Sequence, residues 1–489
     1  MPADRTRPPD EERLLAERAF ARKEGSDQTR ARERVLELLD PGSFLEVGSL
    51  ARDGTHGRGE KTPADGIVAG YGTVDGHRVG VISLDGTVLA GSGGKPGGAK
   101  QQRIVTEAER LGFPLIAFGE GGGGRIPDMM GSSLGVPHSI GEHQLLVRLG
   151  QRDRRFPLFS CSMGEMYGDP SFKFGLADFP IMAQASSLGI SGPRVIEAAL
   201  GEIVSGDELG GSQVHARNGQ AIRVEETEAD VIATVKRILD FVLVPLRESG
   251  DPIDRPTPEI ADILPANYER AYNVRKVAQA ILDQDCAPLE LWPEFGTTAV
   301  AMLGRLGGRT VAVFANQPLV RGGVLDDGSV RKASKLLRRC DRFNIPILYL
   351  HDVPGFMIGR HVEAEGILGT VMQYISDMAS SPVPKISLVL RKSYGMAYFA
   401  MGGQAGKANY IAALTTARIA FMGPEAGINL VYAKKLAGAA DAEQVRAELT
   451  DEWSERAMPW EAAHTAAIDD VILPSEARQT MLAALRALA

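Results

Sequence analysis

The sequence predicts an α/β protein made of two homologous domains, and three observations support that prediction. The first is an internal repeat, the second is a regular alternation of β-rich and helical segments, and the third is an ordinary globular composition. Of 489 residues, 44% are hydrophobic and 24% are charged, as is typical of folded domains. Strands that alternate with helices favour mostly parallel sheets with right-handed crossovers.

The repeat consists of paired segments that occur in one order at a spacing of about 230 residues. The pairs are Gly91 with Gly322, Lys100 with Lys332, Pro114 with Pro346, Tyr167-Gly168 with Tyr394-Gly395, and Gly192-Pro193 with Gly423-Pro424. A duplication explains such an ordered series better than chance does. We expect domains at 1–247 and 248–489, with the Pro-, Asp- and Glu-rich segment 247–268 as the linker.

Each half is predicted to run from β-rich segments through a helix to a short apolar strand. The β-rich segments are 67–74, 77–85 and 310–316. The helices that follow should end at Gly112 and Asn344, and a proline should then open the strands 114–118 and 346–350. Two charged helices, 11–23 and 29–40, are expected before the first half, the second ending at Asp40-Pro41-Gly42.

Composition excludes several classes of protein. The sequence contains no uncharged apolar run of 18 residues, so no membrane span is predicted. The first residues contain no apolar segment typical of a secretory signal. The net charge of −8 disfavours nucleic acid as a partner. Three cysteines, Cys161, Cys286 and Cys340, lack the spacing of a disulfide framework or a zinc site. We therefore expect a cytoplasmic protein without a metal in this chain.

Several motifs resemble known sites only in part. The glycines in 119–124 fit a dinucleotide-binding fingerprint, but the segment near Glu142 reads as a helix where a second strand is needed. The segment 91–96 lacks a phosphate-binding pattern. Five polar residues could suggest a metal site: His351, Asp352, His361, Glu363 and Glu365. Their spacing matches no known set of metal ligands, and the alternative interpretation is that they are solvated loop residues.

Main-chain chemistry remains as a hypothesis. The segments 167–170 and 394–397 each lie between an apolar strand and a helix, and Asp169 with Pro170 forms a strong helix start, with Asp169 as the N-cap. Free amides at such a start can bind a developing oxyanion. A tight turn with no chemistry is the alternative. The glycines 121–124 followed by Arg125 suit a close approach to a ligand, and a plain loop is again the alternative.

From about Thr29 to Leu488 the sequence resembles the carboxyltransferase (β) subunit of biotin-dependent acyl-CoA carboxylases, of the propionyl-CoA and acetyl-CoA type. The motifs that carry the resemblance are ARERVLELLDPGSFLE (31–46), PADGIVAGYGTVDG (63–76), GEIVSGDELGGSQVH (201–215), VAVFANQP (311–318), RCDRFNIPILYLHDVPGF (339–356), RKSYGMAYFAMGG (391–403) and IDDVILP (468–474).

The resemblance implies tandem crotonase-like domains and a homohexamer. It implies an acyl-CoA substrate on the N-terminal domain of one subunit and biotin on the C-terminal domain of a neighbour, the biotin being carried by a biotin carboxylase or carrier subunit. Such an enzyme transfers a carboxyl group from carboxybiotin to the acyl α-carbon through an enolate, without a side-chain acid or base. Its place would be in fatty acid or polyketide precursor metabolism.

The resemblance also assigns residues. It gives the catalytic amides as Gly168, Asp169, Met396 and Ala397, the substrate contacts as Gly122, Gly123, Gly124, Arg125, Tyr167 and Phe399, and the biotin contacts as Gly355, Phe356, Tyr394 and Gly395. This sequence departs from the family at Asp169 and Pro170, where the family has glycine and alanine. Phe399 stands where propionyl-preferring members carry aspartate, so acetyl-CoA or an unusual acyl-CoA is equally open.

Two other functions fit the same sequence. One is a biotin-dependent decarboxylase subunit, since the same oxyanion sites serve both directions. The other is a catalytically weak subunit that binds acyl-CoA or serves assembly, which the residues Asp169 and Pro170 favour.

Overall fold

The computed structural model describes residues 9–24, 30–54, 57–125, 145–151 and 153–488. The chain divides into two compact units, Met1–Leu239 and Asp240–Ala489, and each unit contains its own sheet. The division falls earlier than the predicted boundary between 1–247 and 248–489, so those limits stay a prediction. The segment near Glu142 lies outside the described residues.

The first unit is built around a mostly parallel sheet in the order β1-β2-β3-β4-β5-β6-β8, with β7 beside β5. Among the described strands of this sheet, only the β1–β2 and β2–β3 pairs are antiparallel. Its elements are α1 (Pro9–Arg22), α2 (Arg30–Leu38), β1 (Leu45–Glu46), β2 (Ile67–Val74), β3 (His77–Leu84), α3 (Lys95–Leu111), β4 (Leu115–Gly121), β5 (Leu158–Tyr167), α4 (Asp169–Leu176), β6 (Phe179–Ala183), β7 (Ser187–Gly189), α5 (Pro193–Leu200), α6 (Gly206–Gly210), α7 (Ser212–Arg217), β8 (Arg223–Glu225) and α8 (Glu228–Leu243), whose last residues fall in the second unit.

The second unit has the same strand order, β9-β10-β11-β12-β13-β14-β16 with β15 beside β13. Its elements are α9 (Glu259–Ile263), α10 (Val274–Ile281), β9 (Leu289–Leu291), β10 (Ala299–Leu306), β11 (Arg309–Asn316), α11 (Asp327–Phe343), β12 (Ile347–Val353), α12 (Arg360–Ala364), α13 (Ile367–Ser380), β13 (Lys385–Tyr394), α14 (Met396–Ala400), β14 (Tyr410–Leu414), β15 (Arg418–Ala420), α15 (Pro424–Val431), α16 (Ala433–Ala437), α17 (Ala442–Arg456), α18 (Pro459–His464), β16 (Asp470–Ile472) and α19 (Ala477–Leu488).

The duplication is confirmed, because β9–β16 repeat β1–β8 strand for strand. The resemblance extends to the turn within each antiparallel pair. The Asp40 carboxylate accepts the amides of Asp75 and Gly76 at 3.0 and 2.9 Å. In the second unit the Asp283 carboxylate accepts the amides of Gly307 and Gly308 at 2.8 and 2.7 Å.

A buried lysine occupies the same place in each unit. The Lys100 ammonium donates to the carbonyl of Ile67 at the start of β2, and the Lys332 ammonium donates to the carbonyl of Ala299 at the start of β10, at 2.7 Å. Burial lowers the pKa of Lys100 to about 8 and that of Lys332 to about 7. The repeat pair Lys100–Lys332 is therefore structurally equivalent.

The predicted pairing of Gly91 with Gly322 is wrong by one residue. Before α3, Leu89, Ala90 and Gly91 are all left-handed, with φ of 47°, 55° and 65°. Before α11 the same conformation falls on Arg321, Gly322 and Gly323, with φ of 48°, 67° and 78°. Gly323 is thus the counterpart of Gly91, and the two adjacent glycines of the second unit explain the error.

The predicted helix ends are confirmed at Gly112 and Asn344, which are left-handed caps with φ of 75° and 52°. The charged helices run over Pro9–Arg22 and Arg30–Leu38. The predicted linker 247–268 contains the short helix α9, so it is not wholly irregular. Within the described part of the chain, every helix is too short or too polar to cross a bilayer.

Candidate active site

The two tyrosine–glycine segments form the same turn at the carboxyl end of a central parallel strand. Strand β5 ends at Tyr167, Gly168 follows with φ 70° and ψ −132°, and α4 begins at Asp169. Strand β13 ends at Tyr394, and Gly395 follows with φ 59° and ψ −145° before α14. Side chains are strained at this φ and ψ, so both positions require glycine. Ligands in open α/β sheets bind at this end of the strands.

In the first unit, the turn leaves the backbone amides of Gly168 and Asp169 available to a ligand. Among the described residues, none accepts a hydrogen bond from the Gly168 amide. The carbonyl of Gly189, on the neighbouring strand β7, accepts the Ser171 hydroxyl at 2.7 Å instead. Asp169 is the first residue of α4, where an amide has no acceptor within the helix. Pro170 follows without an N–H.

In the second unit, the available pair of amides lies one residue later. The Gly395 amide donates to the carbonyl of Ala420, on the neighbouring strand β15, at 3.0 Å. Met396 and Ala397 are the first two residues of α14, so their amides have no acceptor within the helix. The duplicated turn therefore offers Gly168 and Asp169 in one unit, and Met396 and Ala397 in the other.

The glycine loop of the first unit is held by close contact between backbones. The Gly122 amide donates to Ala90 at 3.1 Å, and the Gly93 amide donates to Gly123 at 2.8 Å. A Cβ on Gly121 would lie 2.6 Å from the Cα of Gly91, and one on Gly123 would lie 3.2 Å from the carbonyl oxygen of Tyr167. The loop therefore packs directly on the Tyr167–Gly168 turn. Gly124 pairs with Gly93 in a parallel bridge.

The corresponding loop of the second unit is more open. Leu325 pairs with Phe356 in a parallel bridge, and its amide donates to Gly355 at 3.0 Å. Gly355 has φ 148°, and a Cβ there would meet nothing within 4 Å. Open space therefore lies beside Gly355 in the second unit, whereas Gly123 in the first unit packs against the Tyr167–Gly168 turn. Phe356 is half-buried, and burial raises the pKa of the Tyr394 phenol to about 12.

The comparisons with known proteins agree with this duplicated architecture. The carboxyl transferase domain family matches residues 22–489. The propionyl-CoA carboxylase beta chain of Saccharopolyspora erythraea is 35% identical over 97% of this chain and 90% of its own. The methylmalonyl-CoA carboxyltransferase 12S subunit of Propionibacterium freudenreichii subsp. shermanii is 34% identical over 96% of this chain and 90% of its own.

The chain belongs to the carboxyl transferase family. A crystal structure of the transcarboxylase 12S hexamer with methylmalonyl-CoA bound matches it with a TM-score of 0.89 at 32% identity, covering 100% of this chain and 96% of the other. The fold is the tandem crotonase-like fold, and the protein is a biotin-dependent acyl-CoA carboxyltransferase.

Asp169 of the carboxyltransferase is not the N-cap that the sequence predicts. Gly168 occupies the cap position, because the turn that ends β5 needs a positive φ there, and Asp169 is already the first helical residue. Its carboxylate does not cap the helix. It forms an ion pair with Lys173 one turn later, with Oδ2 and Nζ 2.5 Å apart.

Arg125, expected to contact the substrate, has a guanidinium that is already engaged. It is buried and donates to the carboxylates of Asp53 at 2.9 Å and Asp65 at 2.8 Å, and to the carbonyl of Ser92 at 2.8 Å. Its amide donates to Gly93 at 3.1 Å. In the carboxyltransferase this side chain anchors the end of the glycine loop.

A cleft of about 840 Å³ in the first unit includes three of the predicted residues, Gly121, Gly122 and Tyr167. The other residues that line it were not predicted: Gly86, Ala90, Glu120, Glu165, Gly192, Pro193, Arg194, Val195, Ser205 and Gly206. The repeat anchor Gly192-Pro193 and the motif 201–215 contained a signal for four of them. Tyr167 is buried, and its phenol lies 3.1 Å from the Ser187 hydroxyl. Burial raises its pKa.

The polar group at the end of β12 has a structural role. The buried His351 lies with Nδ1 3.1 Å from the Ser393 hydroxyl, and burial lowers its pKa to about 3. Asp352 sits in a bulge between β12 and β13, where its carboxylate accepts the Lys392 amide at 3.0 Å. Burial raises the pKa of Asp352. Within the described ranges, no three such side chains are grouped as a metal site.

Phe399 lies in α14 and is half-buried. Its ring packs edge-on against Tyr398, with the ring centres 5.5 Å apart. Its position in the duplicated turn corresponds to Phe172 of α4, so the two units carry the same residue there.

Proposed function

We propose that this carboxyltransferase transfers the carboxyl group of carboxybiotin, carried by a partner protein, to the α-carbon of a short acyl-CoA. One observation carries the proposal: the turn that follows the central strand is built twice, and each copy leaves two adjacent amides for a ligand. The reaction has two oxygens that gain negative charge, one on the thioester enolate and one on the biotin ureido group. Preorganised backbone amides stabilise such oxygens without reorganisation.

The amides of Gly168 and Asp169 would hold the thioester oxygen, and those of Met396 and Ala397 would hold the ureido oxygen. Carboxybiotin, when bound, supplies CO2 and a ureido nitrogen basic enough to remove the α-proton. The protein chain then has to position the two substrates and stabilise the two anionic oxygens, and it does not have to donate or accept a proton. A nearby glycine loop, 121–124 in the first unit and around Gly355 in the second, lets a ligand approach the backbone closely.

The residues of the second unit suit a biotin group. The side chains of Met396 and Ala397 are uncharged, so no fixed charge on them competes for the amides. A Cβ on Gly355 would meet nothing within 4 Å, so no neighbouring group blocks an approach to the backbone there. The biotin contacts would then be Gly355, Phe356, Tyr394 and Gly395, and the acyl-CoA contacts would include Gly122–Gly124, Tyr167 and Phe399.

The direct test is an assay in which the purified protein receives acetyl-CoA or propionyl-CoA, a biotin carboxylase, a biotinylated carrier, ATP and bicarbonate. We expect malonyl-CoA or methylmalonyl-CoA only when every component is present. Met396→Pro removes one amide at the first helical position, where proline is well tolerated. It should lower kcat by about 10²–10³-fold.

Met396→Ala is the matched control, since it changes the side chain and keeps the amide. It should retain most of the activity. Equal losses in the two variants would contradict a role for the amide.

We also propose a homohexamer that works with a biotin carboxylase or biotin carrier subunit in the cytoplasm. Exposed apolar side chains near the candidate site support an assembly: Ile190 is 78% exposed, Leu200 71%, Ile203 86% and Phe421 80%. All three cysteines are free thiols, which agrees with a reducing compartment. Analytical ultracentrifugation of the wild type and of Ile203→Lys tests the assembly, with smaller species expected for the variant.

A catalytically weak acyl-CoA-binding or assembly subunit is the second candidate, favoured by Asp169 and Pro170 in the turn. Under that function, Asp169→Gly combined with Pro170→Ala should raise carboxyl transfer. In a competent enzyme the same double variant is neutral or harmful. The coupled assay above measures the difference.

A further inference from the structure

Three polar side chains, two of them buried and the third, Asp169, partly exposed, form a group beside the acyl-side turn. The Lys173 ammonium lies 2.5 Å from the Asp169 carboxylate and 2.7 Å from the side-chain carbonyl of Gln101 on α3. Lys173 is only 5% exposed, and Gln101 is 3% exposed. The ammonium is therefore directed by two oxygens and largely withdrawn from water, which strengthens its interaction with the carboxylate.

The second unit carries none of the three. In the duplicated fold, Met396 stands in the place of Asp169, Ala400 in the place of Lys173, and Ala333 in the place of Gln101. A buried lysine without its acid, or a carboxylate without its lysine, is costly. The first unit therefore carries all three residues and the second unit none of them.

The position of Asp169 poses an electrostatic problem. Its own amide and that of Gly168 are the donors left at the turn, and an unpaired carboxylate on the same residue would repel the anion that those donors are to stabilise. Among the described residues, Lys173 is the cation paired with this carboxylate.

We propose that Lys173 is a positioning residue for the acyl-CoA site, held by Gln101, which neutralises Asp169 so that the two amides can stabilise an anionic oxygen. This inference rests on the proposed function, because it concerns the same amides. It assigns Lys173 no direct contact with the substrate.

The test compares binding of two ligands to the full-length protein by calorimetry. One is propionyl-CoA, whose thioester oxygen is neutral. The other is a CoA analogue in which a nitronate replaces the thioester, a stable anion with the charge of the enolate. Lys173→Met should weaken nitronate binding by roughly 10- to 100-fold, because it leaves the carboxylate unpaired, and should change propionyl-CoA binding by less than about threefold.

The double variant Asp169→Asn with Lys173→Met should recover nitronate binding to within about threefold of the wild type, since the charge and its neutralising partner are removed together. Lys173→Arg, which keeps the positive charge, should also bind the nitronate. The kcat of the coupled assay should follow nitronate affinity across these variants, with KM for acyl-CoA nearly unchanged.

Four results would overturn the proposal. Equal losses for both ligands, or a Lys173→Met chain that fails to fold while the double variant also fails, would give Lys173 a purely structural role. A double variant that stays defective for nitronate alone would mean that Lys173 contacts the anion directly. A wild-type protein that binds neither ligand would refute the proposed function, and the role of Lys173 with it.

Discussion

The turn after β5 and the turn after β13 follow the same path, yet they leave different pairs of amides. In the first unit, Pro170 removes the third amide, and Ser171 occupies the carbonyl that the Gly168 amide would otherwise reach. In the second unit, the Gly395 amide is taken by Ala420, and Ala397 keeps its N–H. Two small changes thus move the available donors by one residue.

A duplicated fold can thus specialise its copies by changing which main-chain amides are bonded and which side chains lie beside them. The strand order, the turn conformation and the buried lysine are shared, while the donors and the local charge differ. The first unit adds an acid and a base beside its donors, and the second has neither. The following predictions each test one of these similarities or differences.

The largest effect is expected from giving the second unit the proline of the first. Ala397→Pro removes an amide at a position where the first unit already accommodates Pro170, so the fold should tolerate it. Loss of one oxyanion donor should lower kcat by about 10²–10³-fold. Ala397→Ser, which keeps the amide, is the control, and steady-state kinetics with circular dichroism for folding are the measurements. Unchanged kcat in a folded Ala397→Pro protein would contradict the assignment.

The buried lysines should make stability depend on pH. Burial lowers the pKa of Lys332 from 10.5 to about 7. Between those values the unfolded chain binds a proton that the folded chain has lost, so stability rises with pH, by at most about 1.4 kcal/mol for each pH unit. Below pH 7 the lysine is charged in both states, and the folded chain carries the full cost of the buried charge.

Lys332→Met should abolish this contribution. The melting temperature of the wild type relative to the variant should rise from pH 7 to pH 10, as measured by scanning calorimetry. Lys100→Met should show a smaller rise that starts near pH 8, because the pKa of Lys100 is about 8. Parallel pH profiles for the wild type and both variants would contradict the expected protonation states.

Phe399 and Phe172 occupy equivalent positions, but only Phe399 is assigned to the acyl pocket. Phe399→Asp should change the ratio of kcat/KM for propionyl-CoA to that for acetyl-CoA by about tenfold, the size of effect that one side chain has in such a pocket. Phe172→Asp should leave the ratio unchanged. Competition between the two acyl-CoA substrates measures it, and a shift of equal size in both variants would remove the distinction.

The smallest effect is expected at Ala90, which is left-handed with φ 55° where the second unit has Gly322. Ala90→Gly should relieve the strain of a side chain in that conformation, offset partly by the entropy of the unfolded chain. The melting temperature should rise by roughly 1–3 °C. Gly322→Ala is the reciprocal variant and should lower the melting temperature. A lower melting temperature for Ala90→Gly, or a higher one for Gly322→Ala, would show that the two segments are not equivalent.

Much of the fold could be predicted because glycine and proline mark its boundaries. Gly112 and Asn344 end their helices in the left-handed conformation that the sequence predicts. The alternation of strand and helix in each half, together with the paired segments, was enough to predict the duplication. The mostly parallel pairing was also predicted, from the known preferences of such units, whereas the strand order was not.

The candidate site was harder to predict, because its chemistry depends on which backbone groups are already bonded. No pattern of residue types reveals that Ala420 accepts the Gly395 amide, or that Gly168 and not Asp169 caps α4. Gly323 was missed as the partner of Gly91, since three consecutive left-handed residues have no sequence signature. The pair Asp169–Lys173 did have a signal, the spacing of four residues within a helix, which the sequence interpretation passed over.

The main-chain origin of the donors has a consequence for inhibitor design. Compounds with electrophilic warheads need a reactive side chain, and Cys161 and Cys340 are buried thiols whose pKa burial raises. The amides of Gly168, Asp169, Met396 and Ala397 cannot be alkylated under ordinary conditions. A useful inhibitor would therefore be a planar anion that binds these amides, and a change of one donor residue's side chain that keeps the amide would leave the donor in place.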